Sequence, residues 1–205
     1  MTETAIPIEH HRDDTATKLG MWLFIFTELL LFGGLFLVYS IFRAKYPTNF
    51  HEGSLELSVT IGAINTIALL FSSMTIAMAL TAMQKNNKKL AMRLIAITLL
   101  MASLFLFNKY IEWSTKFEHG LYPGSDLMEL LERGDLLYFS LYFFMTGLHA
   151  LHIVVGMVLL GISFLKVKNG SIQSQSFVIL ENSALYWHLV DLVWIFLFPL
   201  LYLIT

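Results

Sequence analysis

Cysteine is absent from this chain of 205 residues, and charged residues are scarce. The lack of thiols excludes disulfides, thiolate metal sites and cysteine-anchored cofactors. Only 14% of the residues are charged, whereas a soluble domain has about 25%. The formal net charge is −2, so the chain lacks the basic excess of a nucleic-acid-binding surface. Residues 1–18 have no apolar core or small-residue cleavage site, and we therefore expect no cleaved signal peptide.

Apolar residues make up 57% of the chain and are concentrated in five long runs. A helix needs about 20 mainly apolar residues to cross a bilayer. The runs predict spanning helices over residues 19–42, 57–83, 90–111, 136–165 and 183–204. Because backbone groups in lipid must bond within the protein, we predict an all-α fold, a bundle of five transmembrane helices. Residues 1–18 are then a cytoplasmic tail, and residues 19–205 form a single membrane domain.

The charge of the connecting loops predicts the orientation of the bundle. The second and fourth loops are basic, with Lys85, Lys88, Lys89, Arg93, Lys166 and Lys168. The third loop is acidic, with five acids and two bases between residues 113 and 135. The positive-inside rule therefore places the N-terminus inside and the C-terminus outside. Within the third loop, Ser125 precedes a short apolar segment and is predicted to cap a short surface helix.

Several polar side chains interrupt the apolar runs. They are Glu28, Asn65, His149, His152, His188 and Asp191. An unpaired Asp191 would cost about 2.5–3.5 kcal/mol on insertion scales, so a partner is expected. His149 and His152 are three residues apart and share a helix face, as do His188 and Asp191. We predict that the six residues form one buried polar seam, in which Asp191 bonds His188 or a histidine of the fourth run.

The chemistry of this seam has more than one interpretation. It is either a structural network of hydrogen bonds or, through His149 and His152, part of a metal or haem site. Burial disfavours a charged Glu28, which is then a proton-exchanging group or a neutral hydrogen bonder. We expect Glu28 to be protonated, because its own helix offers no cation at that depth.

Small residues beside the seam predict close helix packing. They are Gly33, Gly34, Gly147, Gly156, Ser183 and Ala184. At the end of the third run, Lys109 and Glu112 are expected at the outer membrane interface, where an exposed pair contributes little. Trp187 lies near a predicted helix end and is expected in an interfacial aromatic belt.

Four segments together resemble subunit III of the haem–copper cytochrome oxidases in its five-helix bacterial form. They read LGMWLFIFTE at 19–28, KYIEW at 109–113, FMTGLHALH at 144–152 and ENSALYWHLVD at 181–191. The resemblance covers about residues 18–205. Many members of this family have two further helices, and we expect residues 1–18 to be too short to hold even one of them. Trp113 stands where the family more often has tyrosine.

The resemblance implies a non-catalytic subunit with no catalytic, cofactor-binding or metal-ligating residue. Haem and copper would lie in partner subunits, and bound phospholipid is compatible with this chain. The subunit would pack directly against subunit I, alongside subunit II and other respiratory subunits, in a bacterial plasma membrane. It would stabilise subunit I and its proton-uptake entrance while the complex reduces oxygen to water and pumps protons.

Three other hypotheses remain open at the level of sequence. The first is a haem-binding electron-transfer protein ligated through His149, His152 or His188. The second is a small proton or solute conductor that uses Glu28 and Asp191. The third is a subunit III-like protein associated with nitric oxide reductase. The electron donor of an oxidase, cytochrome c or quinol, would bind other subunits.

Overall fold

The computed structural model describes residues 14–170 and 177–204, which form seven helices and no strand. The helices are α1 Asp14–Lys45, α2 Pro47–Leu55, α3 Val59–Gln84, α4 Lys88–Glu118, α5 Asp126–Leu130, α6 Arg133–Lys168 and α7 Val178–Tyr202. Five of them, α1, α3, α4, α6 and α7, are long and apolar enough to cross a membrane. The predicted all-α bundle of five spanning helices is therefore confirmed, whereas its orientation stays a prediction.

Most ends of the long helices extend beyond the predicted apolar runs. The largest difference is in α4, which continues seven residues past Ile111 to Glu118. Helical hydrogen bonding continues there because Glu112 and Lys116 are buried against other helices rather than released into a loop. At the other end of the chain, α1 begins at Asp14, so the predicted tail 1–18 is already helical over its last five residues. Residues 1–13 of that tail lie outside the described part of the chain.

The two short helices differ in how well the sequence predicts them. Helix α5 was expected, and the Ser125 hydroxyl accepts a hydrogen bond from the Met128 amide at 3.2 Å, as a capping residue should. Helix α2 was not predicted, because its sequence is neither long nor strongly apolar. It begins with Pro47 at its first position and buries Phe50 between the rings of Tyr39 and Tyr138.

The helices pack around α7, which is the most buried of the spanning elements. Helix α3 lies along α4, and α7 contacts both α3 and α6. In the most apolar window of each helix, 56% of the α7 residues are buried but only 6% of the α1 residues. Helix α1 is therefore peripheral, and it contacts α7, α6 and α2 along one side.

Small residues allow close helix contacts at some of the predicted positions. A Cβ atom added at Gly156 would lie 2.8 Å from Cε3 of Trp187, so α6 and α7 approach closely there. The Ser183 hydroxyl meets the Ser163 hydroxyl at 3.0 Å across the same contact. The expectation is wrong for Gly33 and Gly34, because a Cβ atom at either position meets nothing within 4 Å. Those two glycines lie on faces of α1 that the described bundle leaves open.

Candidate functional site

Glu28 and His152 form a pair that joins the peripheral helix α1 to α6. Oε2 of Glu28 lies 3.0 Å from Nε2 of His152, and the two side chains are 14% and 12% exposed. Nδ1 of His152 lies 2.8 Å from the carbonyl oxygen of Leu148. A carbonyl oxygen only accepts, so Nδ1 carries a hydrogen. Nε2 then accepts from a neutral Glu28 or donates to its carboxylate, and in both cases the pair shares one proton and is neutral overall.

Aromatic side chains enclose this pair. The ring of Phe32 meets the His152 ring edge-on at 5.3 Å, and Tyr186 lies nearly parallel to it at 6.4 Å. The Tyr186 hydroxyl donates to the His152 carbonyl oxygen at 3.2 Å, which links α7 to the same point of α6. The ring of Phe24 stacks on Tyr186 at 5.9 Å. The Glu28–His152 pair is therefore a polar contact within an aromatic layer that joins α1, α6 and α7.

His149 lies apart from this pair, although it is only one helical turn from His152. Its ring is fully buried, stacked on Trp194 at 5.2 Å and edge-on to Phe105 at 5.6 Å. Neither ring nitrogen has a hydrogen-bond partner among the described residues. The two histidines therefore serve different contacts, since His149 points towards α4 and α7 and His152 points towards α1.

His188 and Asp191 do not bond each other, contrary to the prediction. Nδ1 of His188 lies 2.6 Å from the hydroxyl of Ser73 on α3. Asp191 is 3% exposed, and neither of its oxygens has a hydrogen-bond partner in the part of the chain that the structure describes. The Ser73 hydroxyl therefore bonds His188, whereas Asp191 bonds neither His188 nor a histidine of α6. The Ser73 hydroxyl, rather than Asp191, is the partner of His188, because it faces His188 directly across the α3–α7 contact.

Asn65 is buried at the α3–α4 contact, away from Glu28. Its Oδ1 accepts a hydrogen bond from Nδ2 of Asn108 at 2.8 Å. The six residues of the predicted seam are therefore distributed over separate contacts, and only Glu28 and His152 meet. One continuous seam is wrong as a description of the bundle. Proton exchange and neutral hydrogen bonding stay the two alternative interpretations of Glu28.

Lys109 and Glu112 correct a second expectation, because both are buried. They are 2% and 5% exposed, rather than exposed at the outer interface. Nζ of Lys109 donates to Oε1 of Glu112 at 3.3 Å, to the Tyr142 hydroxyl at 3.2 Å and to the Tyr202 hydroxyl at 2.8 Å. Both hydroxyls donate in turn to the same Glu112 oxygen. This lysine cluster, formed by Lys109, Glu112, Tyr142 and Tyr202, ties α4 to α6 and α7.

Aromatic rings complete the surroundings of the buried ammonium group. Nζ of Lys109 lies 5.0–5.5 Å from the ring centroids of Tyr142, Trp194 and Tyr202. Cation–π attraction is stronger in a desolvated position such as this one. Trp194 contacts both Lys109 and His149, so the lysine cluster and the buried histidine share one wall.

Trp187 also differs from its predicted place. It is fully buried rather than interfacial, and its indole nitrogen donates to the Ser72 hydroxyl at 3.0 Å. The indole fills the space left by Gly156 on α6. A residue near the end of an apolar run therefore belongs to the centre of the packed bundle, because α7 begins five residues before that run.

His149, His152 and His188 have different neighbours in the bundle. His149, His152 and His188 contact Trp194, Glu28 and Ser73 respectively. In the described ranges, no group of three histidine, aspartate or glutamate side chains is placed to hold a metal ion. The polar contacts instead join two or three helices each, through side chains that are far apart in the sequence.

Comparison with known proteins covers nearly the whole chain. A family model described as cytochrome c oxidase subunit III matches residues 2–205. The chain belongs to the cytochrome c oxidase subunit III family. A relative named cytochrome c oxidase subunit 3, from Thermostichus vulcanus, is 31% identical over 204 residues, which are 98% of this chain and 94% of that protein.

Other relatives bear related names. The heme-copper oxidase subunit I+III of Aeropyrum pernix is 32% identical over 191 residues, which cover 90% of this chain and 22% of that longer protein. The probable quinol oxidase subunit 3 of Staphylococcus aureus is 31% identical over 191 residues, with coverage of 91% and 88%. These names confirm the resemblance, and they place this subunit III chain among the components of oxidase complexes.

Four partners in the polar contacts of this subunit III chain were missed from the sequence. They are Ser73, Asn108, Tyr142 and Tyr202. Asn108 carries a usable signal, because it stands beside Lys109 in an otherwise apolar run. Serine and tyrosine carry almost none, since they occur in membrane helices without a specific partner. Their roles depend on which faces the helices turn towards one another.

Proposed function

We propose that this chain is a non-catalytic subunit III of a haem–copper terminal oxidase and packs directly against subunit I. The observation that carries the proposal is the family match over residues 2–205. It is supported by the A. pernix relative, whose name joins subunits I and III in one protein. A covalent link keeps two partners at high effective concentration, as expected of direct neighbours. The polar contacts fit a structural task, because each joins helices of this chain.

The proposed role is to stabilise subunit I and its proton-uptake entrance in a bacterial plasma membrane. Subunit II and other respiratory subunits complete the complex, which reduces oxygen to water and pumps protons. Haem and copper belong to the partner subunits in this proposal, and this chain binds neither. The separate neighbours of His149, His152 and His188 support this assignment, because one haem or metal needs ligands that point at a common centre.

Purification through a tag on this chain, in mild detergent, tests the proposed function. We expect larger subunits to co-purify, and the complex to show a Soret band and oxygen consumption with cytochrome c or quinol. Dissociation of the complex should move all haem absorbance away from the tagged chain. Haem that stays with the isolated chain, and disappears in a His149→Ala variant, would instead establish the electron-transfer hypothesis.

Two further outcomes separate the remaining hypotheses. Co-purification with a nitric oxide reductase, rather than with an oxygen-consuming enzyme, would assign the chain to that complex. Proton leakage from liposomes that contain only this chain would favour a conductor. We expect no such leakage, because Glu28 bonds His152 whereas neither oxygen of Asp191 has a hydrogen-bond partner among the described residues, so the two carboxyl groups share no bonded neighbour.

A further inference from the structure

A groove lies on the surface of the bundle where α4 begins and α6 ends. It has a volume of about 360 Å³ and opens outwards between the two helices. Six residues line it, Lys89, Met92, Arg93, Ala96, Phe164 and Lys168. Positions 89, 92, 93 and 96 fall on one face of α4, and positions 164 and 168 fall on one face of α6. The groove is therefore built from two helical faces, not from a loop.

The lining changes from basic to apolar along the groove. Helix α4 begins at Lys88 and α6 ends at Lys168, so Lys89 and Lys168 lie at the basic end of the bundle. Arg93 lies one turn further along α4. Ala96 and Phe164 lie deeper in the apolar parts of their helices, with the half-buried Met92 beside them. The two antiparallel helices thus present cations at the same end and an apolar wall at the same depth.

Among the residues that the structure describes, the three cations have no acidic partner. Lys89, Arg93 and Lys168 are exposed, and in the described ranges none of them forms an ion pair. No described acidic side chain therefore offsets the mutual repulsion of these three cations. An anion that sits between them would gain from all three, and the Arg93 guanidinium offers the fork geometry that suits a phosphate group.

We propose that this groove binds one anionic phospholipid. The phosphate group lies among Lys89, Arg93 and Lys168, and one acyl chain runs along Met92, Ala96 and Phe164. Basic pockets between membrane helices, close to the bilayer surface, are suited to anionic lipid headgroups. Free phosphate would use the cations but leave the apolar wall uncovered. A zwitterionic lipid would cover the wall but bring no net charge to the three cations.

Native mass spectrometry of the tagged full chain, with the subunits that accompany it, tests this site. The purified protein is titrated with phosphatidylglycerol, phosphatidylcholine or inorganic phosphate, and the bound molecules are counted. The test variant is Lys89→Gln/Arg93→Gln/Lys168→Gln. The matched control, Lys85→Gln/Lys88→Gln/Lys166→Gln, removes the same charge from the same end of the bundle but leaves the groove lining intact.

We expect one phosphatidylglycerol to bind tightly to the unmodified protein. Each cation near an anionic lipid contributes about fivefold in affinity, so the test variant should bind on the order of 100-fold more weakly. The control should stay close to the unmodified protein. Ala96→Trp should also weaken binding, because it fills the apolar part of the groove without a change in charge, whereas Ile97→Trp beside it should not. Thermal unfolding of each variant checks that the bundle is intact.

Three results would overturn the proposal. Equal weakening in the test and control variants would mean that phosphatidylglycerol responds only to diffuse surface charge. Equal affinity for phosphatidylcholine would show that the cations do not select the headgroup. Competition by inorganic phosphate at the same concentration as phosphatidylglycerol would show a free-anion site, without any contribution from the acyl chain.

Discussion

The hydrogen atom on Nδ1 of His152 determines whether the ring nitrogen that faces Glu28 can accept a hydrogen bond. Because Nδ1 is directed at the Leu148 carbonyl oxygen, the nitrogen that faces Glu28 is Nε2. A neutral His152 therefore presents a lone pair to Glu28, and a neutral Glu28 is the group that can donate to it. The apolar surroundings formed by Phe32 and Tyr186 favour this uncharged arrangement over two charges.

We predict that Glu28 is protonated at neutral pH. Infrared spectroscopy should show a protonated-carboxyl band that is lost in Glu28→Gln, while the amide of the variant still donates to His152. Glu181→Gln is the control, because Glu181 forms an ion pair with Lys18 at 3.0 Å and should not contribute to that band. A carboxylate signal that is lost in Glu28→Gln, with no change in the protonated band, would contradict the prediction.

The lysine cluster should show strong coupling between its two charged residues. Lys109→Met leaves Glu112 without its cation in the packed bundle, and we expect a loss of about 3–5 kcal/mol in the free energy of unfolding. Lys109→Met/Glu112→Gln should recover most of that loss, since glutamine still accepts from Tyr142 and Tyr202. Unfolding in a denaturing detergent measures both changes.

The exposed Lys85→Met provides a control for that experiment and should change the free energy of unfolding by less than about 0.5 kcal/mol. Additive losses in the double variant would contradict a coupled cluster. They would mean that Lys109 and Glu112 each stabilise the bundle through other neighbours.

At the level of the helices, α1 differs from the other spanning elements in how it is held. Its polar contacts include the Glu28–His152 pair, the Lys18–Glu181 ion pair and the hydrogen bond from the Tyr39 hydroxyl to the Leu200 carbonyl oxygen. Most of its apolar residues remain exposed in the isolated chain. We expect these residues to contact lipid or neighbouring subunits in the bilayer, so that α1 depends on its surroundings more than α7 does.

The α6–α7 contact should depend on one glycine. Gly156→Ala places a methyl group 2.8 Å from Trp187, so Trp187 must move, and we expect a loss of about 1–3 kcal/mol in stability. Gly161→Ala on the same helix is the matched control, because its added Cβ atom meets nothing within 4 Å. Thermal unfolding of both variants compares them directly. Equal stability would mean that Trp187 can move at no cost.

At the scale of the whole molecule, the orientation in the membrane rests on the distribution of charge. The complete absence of cysteine allows single thiols to report it without a background signal. Lys85 lies three residues before the start of α4, and Glu118 is the last residue of that helix. Both side chains are exposed. They therefore sample the two sides of the bilayer.

We predict that Glu118→Cys reacts with a membrane-impermeant thiol reagent added outside intact spheroplasts, whereas Lys85→Cys reacts only after lysis. The basic loops are retained on the cytoplasmic side, which gives this pattern. The cysteine-free parent protein is the control for unspecific labelling. The reverse pattern would place the N-terminus outside and would move the basic groove to the outer leaflet.

Much of the fold follows from the sequence, but little of the polar contact pattern does. The apolar runs predict the ends of the five spanning helices to within seven residues, and Ser125 predicts the start of α5. The pairing of His188 with Asp191 was wrong, because Ser73 lies 115 positions away and yet supplies the partner. Likewise, Lys109 and Glu112 were expected at the outer interface. They are buried instead, because Tyr142 and Tyr202 from other helices pack against them.

The sequence by itself determined the class of the protein, the number of spanning helices and the family, because long apolar runs leave the backbone in lipid no alternative to the helix. It also identified Glu28 and His152 as buried polar residues, but it did not pair them. Only the tertiary structure decided the remaining partners, since spacing along one helix fixes relative directions within that helix alone. The rotation and depth of each helix against its neighbours come from packing, and they assign Ser73 to His188, Asn108 to Asn65 and two tyrosines to the lysine cluster.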